Sequence, residues 1–249
     1  MAFPFDCAID GPAPSLGRAL FTHMLWLLNR ILEPVCLLCQ QVSERQHGLC
    51  DTCARSLPLN KTACNVCARP IETGSICGKC LSKPNDFDQA IAPLLYRDPV
   101  SEMIRALKYR EKLAFARTAA SVISEAALKR GVKKPDLICS VPMTTQALRK
   151  RGFNQSALIA LLSGYRLGIP VTNHLLRKVR QTAHQSDLSA RERRGNLKNA
   201  FRCQRGVAGR HVVIVDDVLT TGATVNELAR TLKKAGAARV DVWVCARTD

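Results

Sequence analysis

Two adjacent acids, followed by threonine, glycine and small residues, form the part of this sequence best suited to bind a sugar phosphate. They follow the apolar run His211–Val215, whose length predicts a buried parallel strand. The candidate binding residues are Asp216, Asp217, Thr220, Thr221, Gly222, Ala223 and Thr224. Paired carboxylates can accept hydrogen bonds from two ribose hydroxyls, and loop amides and Thr hydroxyls at a helix N-terminus can bind the 5-phosphate. The segment therefore predicts a ribose-phosphate site.

Eight cysteines in four CxxC pairs predict two zinc sites. The pairs are Cys36 and Cys39, Cys50 and Cys53, Cys64 and Cys67, and Cys77 and Cys80. Each pair can bring two sulfurs to one ion, and two pairs complete a tetrahedron. A redox enzyme needs one such pair in a thioredoxin-like setting rather than four in succession. We expect two structural zinc ions with the pairs shared in sequential order, although an interleaved arrangement is also compatible with the spacing.

The elements that position these residues follow an α/β pattern. Predicted strands cover 89–96, 137–141, 211–215 and 240–245, with a further short strand near Val171, and predicted helices cover 100–107, 113–129, 155–165 and the segment after Thr224. Residues 142–152 are expected to form a loop, and residues 177–199 a polar basic stretch. The strand that enters Asp216 and the strand that returns at Val240 form a βαβ unit, which implies a parallel sheet flanked by helices.

Composition divides the chain into three zones. Residues 1–34 form an N-terminal arm that is expected to be helical, residues 35–83 the zinc ribbons, and residues 86–249 the α/β domain, joined by Ser82–Asn85. In the arm, Leu20, Met24, Leu27, Leu28 and Ile31 have helical spacing. That apolar face could contact a membrane surface, but packing against the rest of the chain is favoured.

The net charge of +17 is concentrated in the C-terminal part of the chain. Residues 84–249 contain 29 Lys/Arg against 14 Asp/Glu, whereas residues 1–83 contain 8 against 6. This excess favours an anionic partner, and nucleic acid is the leading candidate. Aromatic residues make up only 5%, so few bases could stack and binding would be largely electrostatic.

The sequence shows no export signal and no apolar run of about 20 residues, which a transmembrane helix would need. Twelve cysteines therefore do not indicate a secreted disulfide scaffold. We expect a cytoplasmic protein.

Further motifs resemble the ComF family of competence-associated proteins. Val141-Pro142 followed by Leu148–Gln155 is similar to the family's VP and LRxRGFNQ motifs, and Arg180–Leu188, continuing to Phe201, is similar to its RxTxxQxxL stretch. With the cysteine pairs and the segment VIVDDVLTTGAT, the resemblance extends from about residue 34 to 245. It implies a type I phosphoribosyltransferase fold with an N-terminal double zinc ribbon.

The resemblance also implies roles for individual residues. Asp216 and Asp217 would be catalytic, holding the ribose and orienting the hydration shell of Mg²⁺. The residues that would contact pyrophosphate or belong to a mobile loop are Pro142, Arg149, Arg151, Asn154, Arg180, Thr182 and Gln185. The backbone after Pro142 would have an unusual peptide geometry. Met143–Ala147 departs from the basic run that many relatives have here, which weakens the case for tight pyrophosphate binding.

Two functions follow from the resemblance. In the first, the chain binds phosphoribosyl pyrophosphate or ribose 5-phosphate and takes part in natural transformation, handling incoming single-stranded DNA with DNA-uptake helicase or channel proteins. In the second, it is an active nucleobase or nucleotide-salvage phosphoribosyltransferase that does not bind DNA. Dependence of ligand binding on pyrophosphate and a nucleobase would distinguish them.

Overall fold

A parallel β-sheet forms the centre of the computed structural model, which describes residues 35–42, 48–179 and 199–248. Its strands follow the order β1-β7-β6-β3, and β2 pairs with the end of β7. The strands are β1 Gln89–Ile91, β2 Leu94–Leu95, β3 Leu137–Ser140, β6 His211–Leu219 and β7 Arg239–Arg247. The central β6 and β7 are rich in valine and buried on both faces, as expected for parallel strands covered by helices.

Helices cover both faces of this sheet. The helices are α1 Asp51–Arg55, α2 Gly78–Ser82, α3 Val100–Tyr109, α4 Ala114–Lys129, α5 Thr145–Arg151, α6 Gln155–Leu167 and α7 Ala223–Lys234. Helices α3, α4 and α6 share a core with Val213 and Trp243. Helix α7 packs on the opposite face, where Leu228 and Leu232 contact a core that includes Ile214. The predicted α/β fold is confirmed.

The two zinc ribbons lie along the β1 edge of the sheet. The Ala90 N–H donates to the Val66 carbonyl at 2.8 Å, and the Leu95 N–H donates to the Pro58 carbonyl at 2.8 Å. These bonds satisfy polar groups that an open edge strand would expose to other chains. The ribbons therefore protect the β1 edge of the sheet in addition to holding the cysteines.

Several local predictions need correction. The predicted strand 89–96 is divided at Pro93, which has no N–H for a ladder. The expected loop 142–152 contains α5, because the Thr144 hydroxyl caps the Ala147 N–H at 3.1 Å and Gly152 ends the helix at φ +81°. An unusual peptide geometry was expected after Pro142, but no cis peptide bond occurs there. Within the described residues, the cis bond is at Asp98-Pro99.

Other differences concern the strands near the site. Strand β6 continues to Leu219, so Asp216 and Asp217 lie within it rather than in the loop. Strand β4, Leu176–Lys178, overlaps the start of the polar basic stretch expected at residues 177–199 and pairs antiparallel with β5, Phe201–Cys203. Near Val171 there is a single parallel bridge to Ile138. The N-terminal arm, residues 1–34, lies outside the described residues. In the three described ranges, no helix is both long and apolar enough to span a bilayer.

Candidate ribose-phosphate site and zinc centres

The carboxylates of Asp216 and Asp217 lie near the carboxyl end of β6, against the N-terminus of α6. The Ser156 hydroxyl donates to Asp216 Oδ1 at 2.7 Å, and the Asp217 N–H donates to the same oxygen at 2.9 Å. Gln155 Nε2 donates to Asp217 Oδ2 at 3.0 Å, and Lys108 Nζ lies 2.9 Å from that oxygen. Within the described residues, Asp216 Oδ2 and Asp217 Oδ1 accept no hydrogen bond, so each acid retains one oxygen for a ligand.

Burial and mutual repulsion make the acid pair electrostatically unusual. Burial, followed by the charge of Asp217, raises the pKa of Asp216 to about 7, although the Ser156 hydroxyl and Lys108 oppose the rise. Burial alone would lower the pKa of Lys108, but the charges of Asp217 and Asp216 raise it above its ordinary value. Lys108 therefore remains protonated and balances one of the two acids.

The predicted phosphate loop follows immediately. Thr220 and Thr221 are exposed, and Gly222 has φ +80°, a left-handed conformation that glycine adopts without strain. The next residue begins α7, whose first-turn N–H groups and helix dipole favour an anion. The Ala223 N–H is 3.4 Å from Thr221 Oγ1, so the threonine side chain lies at the helix end.

The two acids, the loop that follows them and the N-terminus of α7 line one cavity of about 430 Å³. Its lining includes all seven predicted ribose-phosphate residues, from Asp216 to Thr224, together with Pro142, Arg151 and Lys178. The arrangement places oxygen acceptors at one end and a helix N-terminus at the other, as a ribose 5-phosphate would require.

Only some of the residues predicted to contact pyrophosphate line this cavity. Arg151 lines the cavity, donates to Gln155 Oε1 at 2.8 Å and lies over the Tyr109 ring, 5.4 Å from its centroid. Asn154 caps α6 and donates to the Val141 carbonyl at 3.0 Å, which holds the segment leading to Pro142. Arg149 is exposed on α5 and is not among the cavity-lining residues. Arg180, Thr182 and Gln185 lie outside the described residues.

Sequence reasoning missed Lys108, Gln155, Ser156 and Lys178. One signal was present for Lys108, since it lies four residues after the buried Ile104 on the same face of α3. A lysine on an otherwise apolar helical face often has a buried acidic partner. Ser156 gave no comparable signal, because a serine in the first turn of a helix is common.

The cysteines form two separate groups of four. Cys36, Cys39, Cys50 and Cys53 form the first tetrad, and Cys64, Cys67, Cys77 and Cys80 the second, with the sulfurs of each tetrad within 4.8 Å of one another. This is the sequential pairing, so the interleaved alternative is wrong.

The sulfur geometry fits zinc. A tetrahedron with Zn–S bonds of about 2.3 Å has S···S edges of about 3.8 Å, and the Cys39–Cys50 and Cys67–Cys77 sulfur distances are 3.7 and 3.6 Å. Burial raises the pKa of Cys36 and Cys64, but backbone N–H groups directed at their sulfurs outweigh it and lower both values to about 6. Hydrogen bonding to the Cys50 sulfur raises the pKa of Cys53 to about 12, and burial raises that of Cys67 and Cys80, so one thiol of each tetrad ionises before the others.

Arg247 connects the second tetrad to the phosphate loop. Its side chain is 2% exposed, and its Nε donates to the Cys67 carbonyl at 3.3 Å. Its Nη1 donates to the carbonyls of Leu219, at 2.6 Å, and of Thr220. One buried guanidinium therefore joins the backbone of a zinc ligand to the backbone of the loop.

A second connection runs through two asparagines. Asn85 Nδ2 lies 3.3 Å from the Cys80 sulfur, and its Oδ1 accepts from Asn226 Nδ2 at 3.3 Å. Asn226 Nδ2 also donates to the Gly222 carbonyl at 3.0 Å. The loop is thus attached to the second tetrad at Leu219 and Thr220 on one side and at Gly222 on the other.

Comparison with protein families agrees with this architecture. The family model for the double zinc ribbon domain matches residues 27–81, and the model for the phosphoribosyl transferase domain matches residues 145–248. A purine phosphoribosyltransferase structure from Pyrococcus horikoshii Ot3 is 19% identical and covers 53% of this chain and 80% of that chain. Its TM-score is 0.32, so the fold assignment depends on the family models and the sheet.

Two relatives align along most of the chain. The DNA utilization protein YhgH of Salmonella typhimurium is 39% identical over 220 residues, which cover 86% of this chain and 97% of that protein. Competence protein F of Haemophilus influenzae is 32% identical over 210 residues, which cover 81% of this chain and 91% of that protein. With both domains matched and this identity sustained over nearly the whole of each relative, the chain belongs to the ComF family of double-zinc-ribbon phosphoribosyltransferase-type proteins.

Proposed function

We propose that the 430 Å³ cavity binds the ribose 5-phosphate group of phosphoribosyl pyrophosphate or of ribose 5-phosphate itself. The observation that supports this most directly is one cavity lined by two acids and a helix N-terminus, in which one oxygen of each acid accepts no hydrogen bond from the described residues. The acids would accept hydrogen bonds from the ribose hydroxyls, and Thr220–Thr224 would bind the phosphate.

The surrounding side chains would orient and balance this site. Lys108 neutralises Asp217, whereas the Ser156 hydroxyl holds the Asp216 carboxyl in place. Ribose hydroxyls donated to Asp216 favour its ionised form, so ligand binding would lower its raised pKa. Asp216 would therefore be the group whose ionisation controls affinity near neutral pH.

Mg²⁺ is compatible with the residues present. Asp216 and Asp217 offer oxygen ligands, and Mg²⁺ usually retains several waters and binds protein through one or two carboxylates. Because Lys108 already balances Asp217, Asp216 is the better candidate to contact a hydrated ion. Neutralisation of pyrophosphate charge is the chemistry that the bound ion would supply.

For the cellular role, we propose that the chain takes part in natural transformation by handling incoming single-stranded DNA in the cytoplasm, together with DNA-uptake helicase or channel proteins. Support comes from the names of two relatives, a competence protein and a DNA utilization protein, and from the 29 Lys/Arg against 14 Asp/Glu after residue 83. Binding should be electrostatic and should weaken steeply with salt.

An active nucleobase or nucleotide-salvage phosphoribosyltransferase without DNA binding is the second candidate. Arg151 and Lys178 favour it, because both line the cavity together with Pro142, where the resemblance places pyrophosphate. Transfer of a ribosyl group would need such cations to stabilise the leaving charge. Pyrophosphate release on addition of a purine or pyrimidine would support this candidate.

The primary test is calorimetric titration of the zinc-loaded chain with ribose 5-phosphate, and with phosphoribosyl pyrophosphate plus Mg²⁺. Asp216→Ala/Asp217→Ala should abolish binding, whereas Glu72→Ala, which removes an exposed acid from a ribbon turn, should have no effect. Tight binding that requires pyrophosphate and Mg²⁺ would favour the transferase. Similar affinity for both ligands would favour a binding protein, and no binding of either would contradict the proposal.

A further inference from the structure

A second basic cavity lies on the outer side of the phosphate loop. It measures about 650 Å³ and is bounded by the second zinc ribbon, the linker at Ser82–Asn85 and the first turns of α7. We call it the outer groove, and its basic lining residues are Arg69, Lys79, Lys83 and Arg230. Thr220, Thr221 and Ala223 line both this groove and the ribose-phosphate cavity, so the loop forms a wall between the two.

Three of the four cations of the outer groove have no carboxylate partner among the described residues, and the fourth, Arg230, pairs with Glu227. In the described parts of the chain, no carboxylate lies within 4.0 Å of the charged nitrogens of Arg69, Lys79 or Lys83. Of the two acids in the lining, Glu227 already accepts from Arg230 and from the Asn199 N–H. Asp86, which is exposed, is the remaining acid. Three cations thus face one carboxylate.

Arg69 is the most informative of these residues. It is half-buried, and its Nε is enclosed without a hydrogen-bond acceptor from the described residues. Arg69 also lines the groove, and no carboxylate of the described residues pairs with it, so an anion bound in the groove would balance its charge.

We propose that the outer groove is a second phosphate-binding site, which holds phosphodiester groups of a single-stranded nucleic acid whose 3′-terminal sugar phosphate occupies the main cavity. This inference rests on the proposed function. The shared loop wall lets one strand contact both sites, since the 5′-phosphate of the 3′-terminal nucleotide links its sugar to the preceding nucleotide. No aromatic side chain is among the groove-lining residues, so the groove would contact the backbone rather than the bases.

The test uses the full zinc-loaded chain and two ligands, ribose 5-phosphate and a thymidine oligonucleotide of about six residues. Lys79→Ala/Lys83→Ala removes two exposed cations from the groove. We expect oligonucleotide affinity to fall at least about tenfold, and the slope of log K against log salt to decrease by about 1.4, since each phosphate contact on a single strand contributes about 0.7. Ribose 5-phosphate affinity should stay within about twofold.

Lys133→Ala/Lys134→Ala is the matched control. These lysines are also exposed, but they precede β3 at the amino edge of the sheet, whereas the loop lies at the carboxyl edge. The control should bind the oligonucleotide as the unmodified chain does. Arg69→Ala should weaken oligonucleotide binding in the same way, and zinc content should be unchanged in every variant.

Equal oligonucleotide affinity in the two double variants would overturn the inference. So would a parallel loss of ribose 5-phosphate affinity, because the lysines would then support the loop rather than a separate site. If the unmodified chain fails to bind ribose 5-phosphate, the proposed function fails and the inference fails with it. Normal ribose 5-phosphate binding with unaltered oligonucleotide binding overturns the inference alone.

Discussion

The two cysteine tetrads are nearly identical as ligand sets and very different in their surroundings. Each consists of two CxxC pairs, yet they pack against opposite faces of the sheet. Cys36 of the first tetrad belongs to the core that contains α3, α4 and Trp243. Cys64, Cys67 and Cys77 of the second belong to the core that contains α7 and Ile214. The same set of four cysteine ligands thus packs against two different hydrophobic cores.

The second tetrad has the closer relation to the candidate site. Three of its four cysteines are buried, whereas Cys39 of the first tetrad is exposed and Cys36 is the only buried ligand there. Arg247 and the pair Asn85 and Asn226 bond the second tetrad to the loop, and no such bond reaches the loop from the described residues of the first. The two tetrads therefore differ in burial and in attachment to the loop, not in ligand type.

Removal of one ligand from each tetrad tests this difference and should have the largest effect. Cys77→Ser and Cys39→Ser should each lose about one zinc ion, since four sulfurs are needed per ion. Because structural zinc supplies roughly 10 kcal/mol of folding free energy to small modules, each ribbon should loosen locally. Ribose 5-phosphate affinity should then fall at least about thirtyfold in Cys77→Ser and stay within about twofold in Cys39→Ser.

Metal analysis and calorimetry measure these two quantities, and far-ultraviolet circular dichroism confirms that the sheet is intact. An equal loss of affinity in both variants would remove the distinction between the tetrads.

Truncation of Arg247 isolates one of the two connections. Arg247→Ala leaves the buried Cys67 carbonyl without its donor and removes one donor each from the carbonyls of Leu219 and Thr220. The free energy of unfolding should decrease by about 3 kcal/mol, measured by urea denaturation with zinc present. Arg117→Ala, on the exposed face of α4, should change it by no more than about 0.5 kcal/mol. A similar small change in both would mean that Arg247 does not stabilise the loop.

The pH dependence of ribose 5-phosphate binding should depend on Asp216 and not on the first tetrad. Because the pKa of Asp216 is about 7, its ionised fraction rises between pH 6 and 8, and ribose 5-phosphate affinity should increase about tenfold over that range. Asp216→Asn should lose this step, and what remains would report the phosphate of the ligand, whose pKa is about 6. Cys39→Ser should keep the profile of the unmodified chain. Calorimetry across pH provides the check.

The same shift predicts an effect on stability. The pKa of Asp216 is higher in the folded chain than its ordinary 3.8, so the folded state binds the proton more tightly and loses stability as pH rises towards 7. Asp216→Asn should therefore raise the urea midpoint at pH 8 and have little effect at pH 4. A lowered midpoint at pH 8 would contradict this assignment.

Substitution of Asn226, with Asn60 as the control, should give the smallest effect and tests the asparagine connection alone. Asn226→Ala removes bonds to Gly222, to Asn85 and to the Asp86 N–H, and Asn60→Ala removes bonds to the Ala68 and Ala92 carbonyls beside β1. Each should cost about 1 kcal/mol of stability. Only Asn226→Ala should lower ribose 5-phosphate affinity, by about threefold, because only it contacts the loop. Equal affinities in calorimetry would show that the asparagine connection is not needed to hold the loop.

The cysteine tetrads and the loop at the end of β6 could be predicted from sequence because both are local. The CxxC spacing brings two sulfurs together within one turn, and a strand followed by threonines and Gly222 forms a helix-end loop without help from distant residues. The parallel sheet was likewise predictable from apolar runs such as His211–Val215. Helix α5 was missed although its signals, the Thr144 cap and the Gly152 stop, are also local.

The sequence by itself determined which groups are available: eight zinc ligands, two adjacent acids, a phosphate loop and an excess of basic residues. Tertiary structure alone decided how they are joined. Lys108 and Asp217 are more than one hundred residues apart, as are Cys67 and Arg247, and no periodicity relates such positions. The second tetrad lies next to the loop after β6 because β7 pairs with β6 and the ribbons lie along the β1 edge. Contacts between distant segments of this kind depend on packing rather than on spacing along the chain.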